Sequence, residues 1–127
     1  MDNNNYLLVI LLILNILEHV SSKNIAVFYT DDYYRGDRIR LSEDNLYFPV
    51  LNSTFLNQIS SIEMNDFTYV ITACTNTSLT GRCHFWRTLR SVKSLKNYPG
   101  MHDAIQSIRA DYIGDVPGIY LYGKDRY

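Results

Sequence analysis

The sequence of 127 residues lacks the features that mark several large classes of protein. It has no excess of charge of either sign, since 12 basic and 13 acidic residues leave a formal net charge of −1. A nearly neutral chain has no strong long-range electrostatic field, so we expect no nucleic-acid partner. It contains no nucleophile elbow, no glycine-rich phosphate loop and no HExxH zinc motif. Its three histidines are isolated from one another in the sequence. These absences predict a protein that is not an enzyme.

Long hydrophobic runs are also scarce. The run YLLVILLILNIL at residues 6–17 would reach about 18 Å as a helix, against roughly 30 Å of hydrocarbon in a bilayer. It is followed by the polar stretch EHVSS, whose small residues suit a signal peptidase. We therefore predict a signal peptide over residues 1–22, cleaved before Lys23, and a secreted, extracellular protein with no stable membrane span.

Cysteine is rare as well, with only two residues, Cys74 and Cys83. The segment between them, TNTSLTGR, is rich in residues that favour hairpin turns, so we predict a disulfide between two adjacent strands, as an oxidising compartment allows. Two thiols with only His84 close by do not complete a tetrahedral metal site. Asn52 and Asn76 each begin an N-glycosylation sequon and are the predicted glycan acceptors.

An internal repeat organises the rest of the chain. FYTDDYYRGDRIRL, which begins at Phe28, aligns with ACTNTSLTGRCHFW, and this register places Gly81 opposite Gly36. NQISSIEM aligns with HDAIQSIRA in nearly the same register and places Ser107 opposite Ser61. Within each copy, polar and apolar residues alternate or β-branched and aromatic residues cluster, as in strands. The repeat therefore predicts an all-β protein built from two similar units.

The spacing inside each unit has a physical reason. A hairpin that folds back over its own sheet needs a residue with positive φ, which glycine adopts readily. A large side chain before the glycine, such as Tyr34, can cover the turn. A serine from a later strand, Ser61 or Ser107, can bond backbone groups of the turn that would otherwise be buried without partners.

These motifs resemble the βγ-crystallin family. The resemblance rests on FYTDDYYRG with Gly36, CTNTSLTG with Gly81, and the SSIEM and QSIRA strands. It implies a βγ-crystallin-like sandwich of two Greek-key motifs, with two four-stranded antiparallel sheets, in a domain over residues 23–112. Motif one covers about residues 24–65 and motif two about 67–112. Residues 113–127 form an extension that resembles the start of a third motif, or an ordinary terminal strand or end.

The second motif departs from the family pattern. Cys74 stands opposite Tyr29, where the family usually has an aromatic residue, and Leu79 stands opposite the covering Tyr34. The second hairpin is therefore expected to depend on the disulfide.

The resemblance also implies calcium binding, because many members carry a motif of two acid or amide residues, two free positions, and two hydroxyl residues. The first copy here, LNQISS, keeps Asn57 and Ser60, and the second, HDAIQS, keeps Asp103 but has Gln106 at a hydroxyl position. Ser60 with Asp103 would preserve one site, and Asn57 with Gln106 would make a poor second. A single carboxylate predicts weak calcium binding at most. The alternative is that Ser61 and Ser107 only hold the hairpins.

Residues 82–96 form a basic run that contains no acid. An anionic partner such as a glycan, a lipid headgroup or an acidic protein would be drawn to it, or the run is a solvated face balanced by nearby acids. We expect a monomeric, structural or weakly calcium-binding extracellular module. The alternative is a secreted effector of the same fold, a protease inhibitor or toxin-like protein, with residues 46–55 or 90–101 as its binding loop and an unknown protein or surface as its partner.

Overall fold

The computed structural model describes residues 3–19, 23–87 and 90–116. Its elements are one α-helix and seven strands: α1 (Asn3–His19), β1 (Asn24–Asp31), β2 (Arg35–Ser42), β3 (Tyr47–Phe48), β4 (Ser61–Met64), β5 (Tyr69–Cys74), β6 (Cys83–Trp86) and β7 (Ser107–Tyr112). Short 3₁₀ turns lie at Thr77–Leu79, Leu95–Asn97 and Ile113–Asp115. The fold is the predicted all-β sandwich of two antiparallel sheets.

Each motif contributes a segment to the sheet that the other motif mainly forms. The first sheet has the order β2-β1-β4 and the second the order β3-β7-β5-β6. β3 comes from the first motif but pairs with β7, with Tyr47 opposite Arg109 and Phe48 opposite Ile108. In return, Val92 of the second motif forms an isolated bridge with Ile62 of β4. Each motif therefore contributes to both sheets, which is the connectivity of interlocked Greek keys.

The predicted count of four strands is found in the second sheet, whereas the described part of the first sheet has three. The bridge at Val92 holds the place of its fourth strand. Beside this bridge, the backbone N–H of Met64 donates to the side-chain Oγ of Ser91 at 3.0 Å, where a regular ladder would use a backbone carbonyl.

The core lies between the sheets and is filled by alternate residues of the central strands. Phe28, Ile62, Ile71 and Ile108 are each at most 2 % exposed. Loop residues complete the core in matched positions of the two motifs: Phe55 and Met101, and Ile59 and Ile105, all buried. Burial of each of these large side chains contributes roughly 1.5–3 kcal/mol. The repeat thus extends from the strands to the residues that close the core.

α1 stands apart from this core. Its described side chains are exposed, including Leu7 at 62 % and Leu11 at 51 %, and none belongs to the core cluster. Across the described residues, no helix has the length and apolar character needed to cross a membrane. The predicted cleavage site at residues 20–22 and most of the predicted C-terminal extension, residues 117–127, lie outside the described residues.

Candidate functional site

The first hairpin, between β1 and β2, folds back over its sheet and is held there by Ser61. Tyr33, Tyr34 and Gly36 have φ angles of 58°, 60° and 84°. The hydroxyl of Ser61, fully buried, accepts the N–H of Tyr34 at 3.0 Å and donates to the carbonyl of Asp31 at 2.6 Å. One side chain therefore satisfies two backbone groups of the turn.

The aromatic rings of this hairpin also meet. Tyr29 and Tyr34 are in edge-to-face contact, with their ring centroids 6.0 Å apart. Burial raises the pKa of the Tyr34 phenol, a hydrogen bond with Ser91 lowers it, and the charge of Glu63 raises it further. Tyr34 thus covers the turn and reaches toward the segment that bridges to β4.

The second hairpin repeats this geometry with different residues. Ser78, Leu79 and Gly81 have φ angles of 56°, 57° and 80°. The fully buried hydroxyl of Ser107 accepts the N–H of Leu79 at 3.0 Å and donates to the carbonyl of Asn76 at 2.6 Å. One serine hydroxyl in each motif, Ser61 in β4 and Ser107 in β7, therefore holds its hairpin in the same way.

Each hairpin has a second hydroxyl group at an equivalent position of the repeat, from Thr30 or Thr75, that the sequence analysis did not identify. The Oγ1 atom of Thr30 accepts the N–H of Asp37 at 3.0 Å, and the Oγ1 atom of Thr75 accepts the N–H of Arg82 at 2.9 Å. Both threonines precede the turn glycine by the same number of residues, so the register of the repeat was the signal that could have identified them.

Cys74 and Cys83 form the predicted disulfide, with their sulfur atoms 2.05 Å apart. It joins β5 to β6 directly, because the two cysteines are paired across the ladder. The disulfide occupies the base of the hairpin that lacks the aromatic pair of Tyr29 and Tyr34.

The predicted calcium residues lie where the two motifs meet. Asn57 and Asp103 both have a left-handed backbone, with φ angles of 57° and 53°. The N–H of Asn57 donates to the carbonyl of Ile105 at 3.0 Å, and the N–H of Asp103 donates to the carbonyl of Ile59 at 3.0 Å. The two loops therefore hold each other through a reciprocal pair of backbone hydrogen bonds.

The structure brings together the two pairs of side chains that the repeat suggests. Ser60 Oγ donates to Asp103 Oδ1 at 3.1 Å, and Gln106 Nε2 donates to Asn57 Oδ1 at 3.3 Å. Each pair joins a residue of motif one to a residue of motif two. The side chains thus contact each other directly across the junction of the motifs.

Basic side chains lie near the carboxylates of Asp103 and Asp32. His102 Nδ1 lies 3.4 Å from Asp103 Oδ2, and His102 Nε2 lies 3.8 Å from Asp32 Oδ1. Lys96 Nζ lies 3.3 Å from Asp32 Oδ2. The two acids nearest to this junction therefore already face basic side chains of the protein.

These residues do not fit a strong calcium site. Calcium takes about six to eight oxygen ligands, with carboxylates among them. In the pair of Asn57 and Gln106, the side-chain oxygen Asn57 Oδ1 already accepts an amide N–H. The carboxylate of Asp103 already contacts Ser60 and His102. In the described part of the chain, no group of three or more His, Cys, Asp or Glu side chains could hold a metal ion.

Other singled-out residues lie away from this junction. The sequon residues Asn52 and Asn76 are both exposed, and Asn52 Oδ1 accepts the N–H of Thr54 at 3.1 Å. His84 packs in an aromatic cluster, with its ring centroid 4.4 Å from that of Trp86 and 4.9 Å from that of Tyr98. These positions suit surface attachment and packing respectively.

Neither the models of known protein families nor the curated proteins include a match to this sequence. Solved structures do match in fold. A βγ-crystallin domain from Flavobacterium johnsoniae is 18 % identical, with a TM-score of 0.59 over 73 % of this chain and 100 % of that chain. A βγ-crystallin from Ciona intestinalis is 16 % identical, with a TM-score of 0.56 over 68 % of this chain and 98 % of that chain. A structure from work on the evolution of the eye-lens βγ-crystallin domain fold is 15 % identical, with a TM-score of 0.63 over 72 % and 89 % of the two chains.

Proposed function

Because the chain has the βγ-crystallin domain fold, we propose that it is a secreted, non-enzymatic structural module in which calcium is at most a weak ligand. The observation that carries the proposal is the direct contact of side chains at the junction of the motifs. Ser60 bonds Asp103, and Gln106 bonds Asn57. The protein therefore joins its two motifs with its own side chains and needs no cation to link them.

Three features support the secreted character of the module. The described apolar side chains of α1, from Tyr6 to Ile13, are exposed and take no part in the core, so removal of this helix is expected to leave the sandwich intact. β1 begins at Asn24, and cleavage before Lys23 would therefore spare the first strand. The disulfide between Cys74 and Cys83 is typical of an oxidising compartment.

The two proposed inhibitor loops are anchored in the core. In residues 46–55, Leu51 and Phe55 are 2 % and 9 % exposed, and in residues 90–101, Leu95 and Met101 are 0 % and 2 % exposed. A loop that inserts into the active site of a protease must protrude with its side chains free. The anchoring favours the structural module over the inhibitor.

Thermal unfolding of the oxidised, secreted protein tests the proposal, first with excess EDTA and then with 5 mM calcium. A ligand at a hundredfold excess over its dissociation constant stabilises the folded state by about 2.7 kcal/mol. Since the junction residues do not fit calcium, we expect a smaller effect, which raises the midpoint by less than about 3 °C.

The matched variants are Asp103→Ala at the junction and Asp44→Ala in the exposed turn after β2. We expect any calcium shift to disappear in the first variant and to remain in the second. A rise of ten degrees or more that Asp103→Ala alone abolishes would replace the structural proposal with a calcium-dependent one.

A further inference from the structure

A groove of about 510 Å³ lies beside the bridge that connects the second motif to the first sheet. Its lining residues are Arg90, Ser91, Val92, Lys93, Asn97 and Tyr98. None of these described lining residues is acidic, and two are basic. The volume lies within the range of about 300–1,000 Å³ that small-ligand sites occupy.

The backbone around the groove is held by bonds to the first sheet. Val92 and Ile62 exchange two backbone hydrogen bonds of 2.8 and 3.0 Å, and the N–H of Leu95 donates to the carbonyl of Ser60 at 2.7 Å. The carbonyl of Lys93 accepts the N–H of Tyr33 at 2.8 Å. Because these bonds fix the rim, a ligand would not need to order the loop on binding.

The aromatic wall of the groove is fixed as well. The ring of Tyr98 packs edge-on against His84 and Trp86, with centroid distances of 4.9 and 5.6 Å. Trp86 is 3 % exposed, so the support behind the tyrosine is part of the core. Tyr98 therefore lines the groove with a ring that aromatic contacts hold in place.

Charge in this segment is distributed unevenly. Lys96 is compensated by Asp32 at 3.3 Å, and Arg82 donates to the carbonyl of Pro99 at 3.0 Å. Lys93 is exposed and lines the groove itself, and Arg90 adds a second basic residue to the lining. The groove thus has the two positive charges of the basic run that lie beside an aromatic ring and a side-chain amide.

We propose that this groove binds an acidic saccharide, that is, a sugar chain bearing sulfate or carboxylate groups. Lys93 supplies charge-assisted donors for the acidic group, with the positive charge of Arg90 in the same lining. Asn97 can bond a sugar hydroxyl, and the Tyr98 ring contributes apolar surface for the sugar ring. A lipid headgroup or an acidic protein would use the charges but has no need of a fixed aromatic wall. The combination favours a saccharide over both.

Calorimetric titration of the purified, secreted protein tests the proposal, with EDTA present so that calcium plays no part. The probe is a heparin-derived hexasaccharide, and its chemically desulfated form is the matched ligand control. We expect the sulfated form to bind, the desulfated form, which keeps only its carboxylates, to bind more weakly, and the affinity to fall with added sodium chloride because salt screens exposed charges.

Three variants locate the site. Lys93→Ala and Asn97→Ala change exposed side chains of the groove, and Arg40→Ala removes an equally exposed charge on β2, at the opposite edge of the first sheet from β4. We expect Lys93→Ala to weaken binding about tenfold, Asn97→Ala to weaken it severalfold, and Arg40→Ala to leave it unchanged, with all three melting temperatures close to that of the wild type.

Several outcomes would overturn the proposal. Equal losses in Lys93→Ala and Arg40→Ala would mean that the hexasaccharide responds to overall charge and not to the groove. Equally tight binding of phosphatidylserine vesicles or of polyglutamate would identify an acidic surface, not a saccharide, as the ligand. Absence of binding at millimolar hexasaccharide would remove the site altogether, without bearing on the calcium experiment.

Discussion

Six non-glycine residues in the described chain have a positive φ angle, and they fall into three pairs related by the repeat. The pairs are Tyr33 with Ser78, Tyr34 with Leu79, and Asn57 with Asp103. A non-glycine residue in this region is less stable by roughly 1–2 kcal/mol than in the right-handed region. The structure around each pair must offset that strain, and the hydroxyls of Ser61 and Ser107 do so at the two hairpins.

Among the described glycines, Gly36 is one at which a side chain would be poorly tolerated. Its φ angle is 84°, and an added Cβ would press against Thr30 Oγ1 and come within 2.8 Å of Asp31 Oδ2. We expect Gly36→Ala to lower the free energy of unfolding by about 2 kcal/mol, measured by urea unfolding.

Gly114→Ala is the control for this prediction. Its φ angle is not in the left-handed region, and its added Cβ would meet the ring of Tyr112, which is 52 % exposed and can move aside. This variant should change stability by less than about 0.5 kcal/mol. Equal, small effects of both variants would contradict the assignment of a strained turn at Gly36.

Asp66 ties the start of β1 to the loop before β5. Hydrogen bonds from the hydroxyl and the backbone N–H of Thr68 hold the pKa of Asp66 below its ordinary value of 3.8, and Lys23, at 3.2 Å, lowers it further against the opposing effect of burial. Since the pKa is lower in the folded state, the stabilisation is complete above about pH 4–5 and is lost as the pH falls through the folded pKa.

Thr68→Val removes the hydroxyl donor and keeps the shape of the side chain. We expect the variant to be less stable than the wild type by about 1 kcal/mol at pH 7, and the difference in unfolding free energy to shrink as the pH falls through the lowered pKa of Asp66. In an Asp66→Asn background, which cannot titrate at this position, the effect of Thr68→Val should not vary with pH. A gap that stays constant from pH 7 to pH 2 would contradict the role of the carboxylate.

The two hairpins have the same backbone geometry but different reinforcement. The hairpin of β1 and β2 has the ring pair of Tyr29 and Tyr34, whereas the hairpin of β5 and β6 has the disulfide between Cys74 and Cys83. A covalent link that closes a short loop restricts the unfolded chain and stabilises the folded state by about 2–3 kcal/mol. The disulfide therefore compensates for the aromatic contact that Leu79 cannot make.

Replacement of both cysteines by alanine should lower the free energy of unfolding by about 2–3 kcal/mol. Hydrogen exchange should show the larger loss of protection in the backbone amides of β6, with β1 affected less, because the link that is lost belongs to the second hairpin. The oxidised wild type in the same buffer is the control. A uniform increase in exchange over both sheets would show that the disulfide acts on the whole fold and not on its own hairpin.

The exchange of strands makes the two motifs one cooperative unit. β3 of the first motif pairs with β7, and Val92 of the second motif bridges to Ile62. Neither sheet is complete without a segment from the other motif, and the core between them is shared. The described side chains of α1 are outside this unit, since none of them belongs to the core cluster.

Expression of the full chain in a eukaryotic secretory cell should release a protein whose first residue is Lys23, as read by mass spectrometry of the N-terminus. Enzymatic deglycosylation should reduce its mass if Asn52 or Asn76, both exposed, carries a glycan. A chain without residues 3–19 is the control and should stay inside the cell. Release of a chain that still begins with Met1 would contradict the signal-peptide prediction.

The amino-acid sequence was sufficient for the features that depend on local order. The alternation of polar and apolar residues predicted strands, the spacing of Gly36 and Gly81 predicted two similar hairpins, and the turn-rich segment between Cys74 and Cys83 predicted the disulfide that the structure contains. The same register pointed to Ser61 and Ser107. These features follow from nearby residues or from a repeat, so a linear comparison can detect them.

Features that depend on contacts between distant segments required the folded chain. Ser91 bonds Met64 beside the bridge of the first sheet, and Asp32, His102 and Lys96 converge beside Asp103. No spacing rule relates residues so far apart in the chain. These polar residues meet because the two motifs pack around one shared hydrophobic core. Hydrophobic burial determines how the motifs pack, and their packing in turn determines which polar residues lie at the junction.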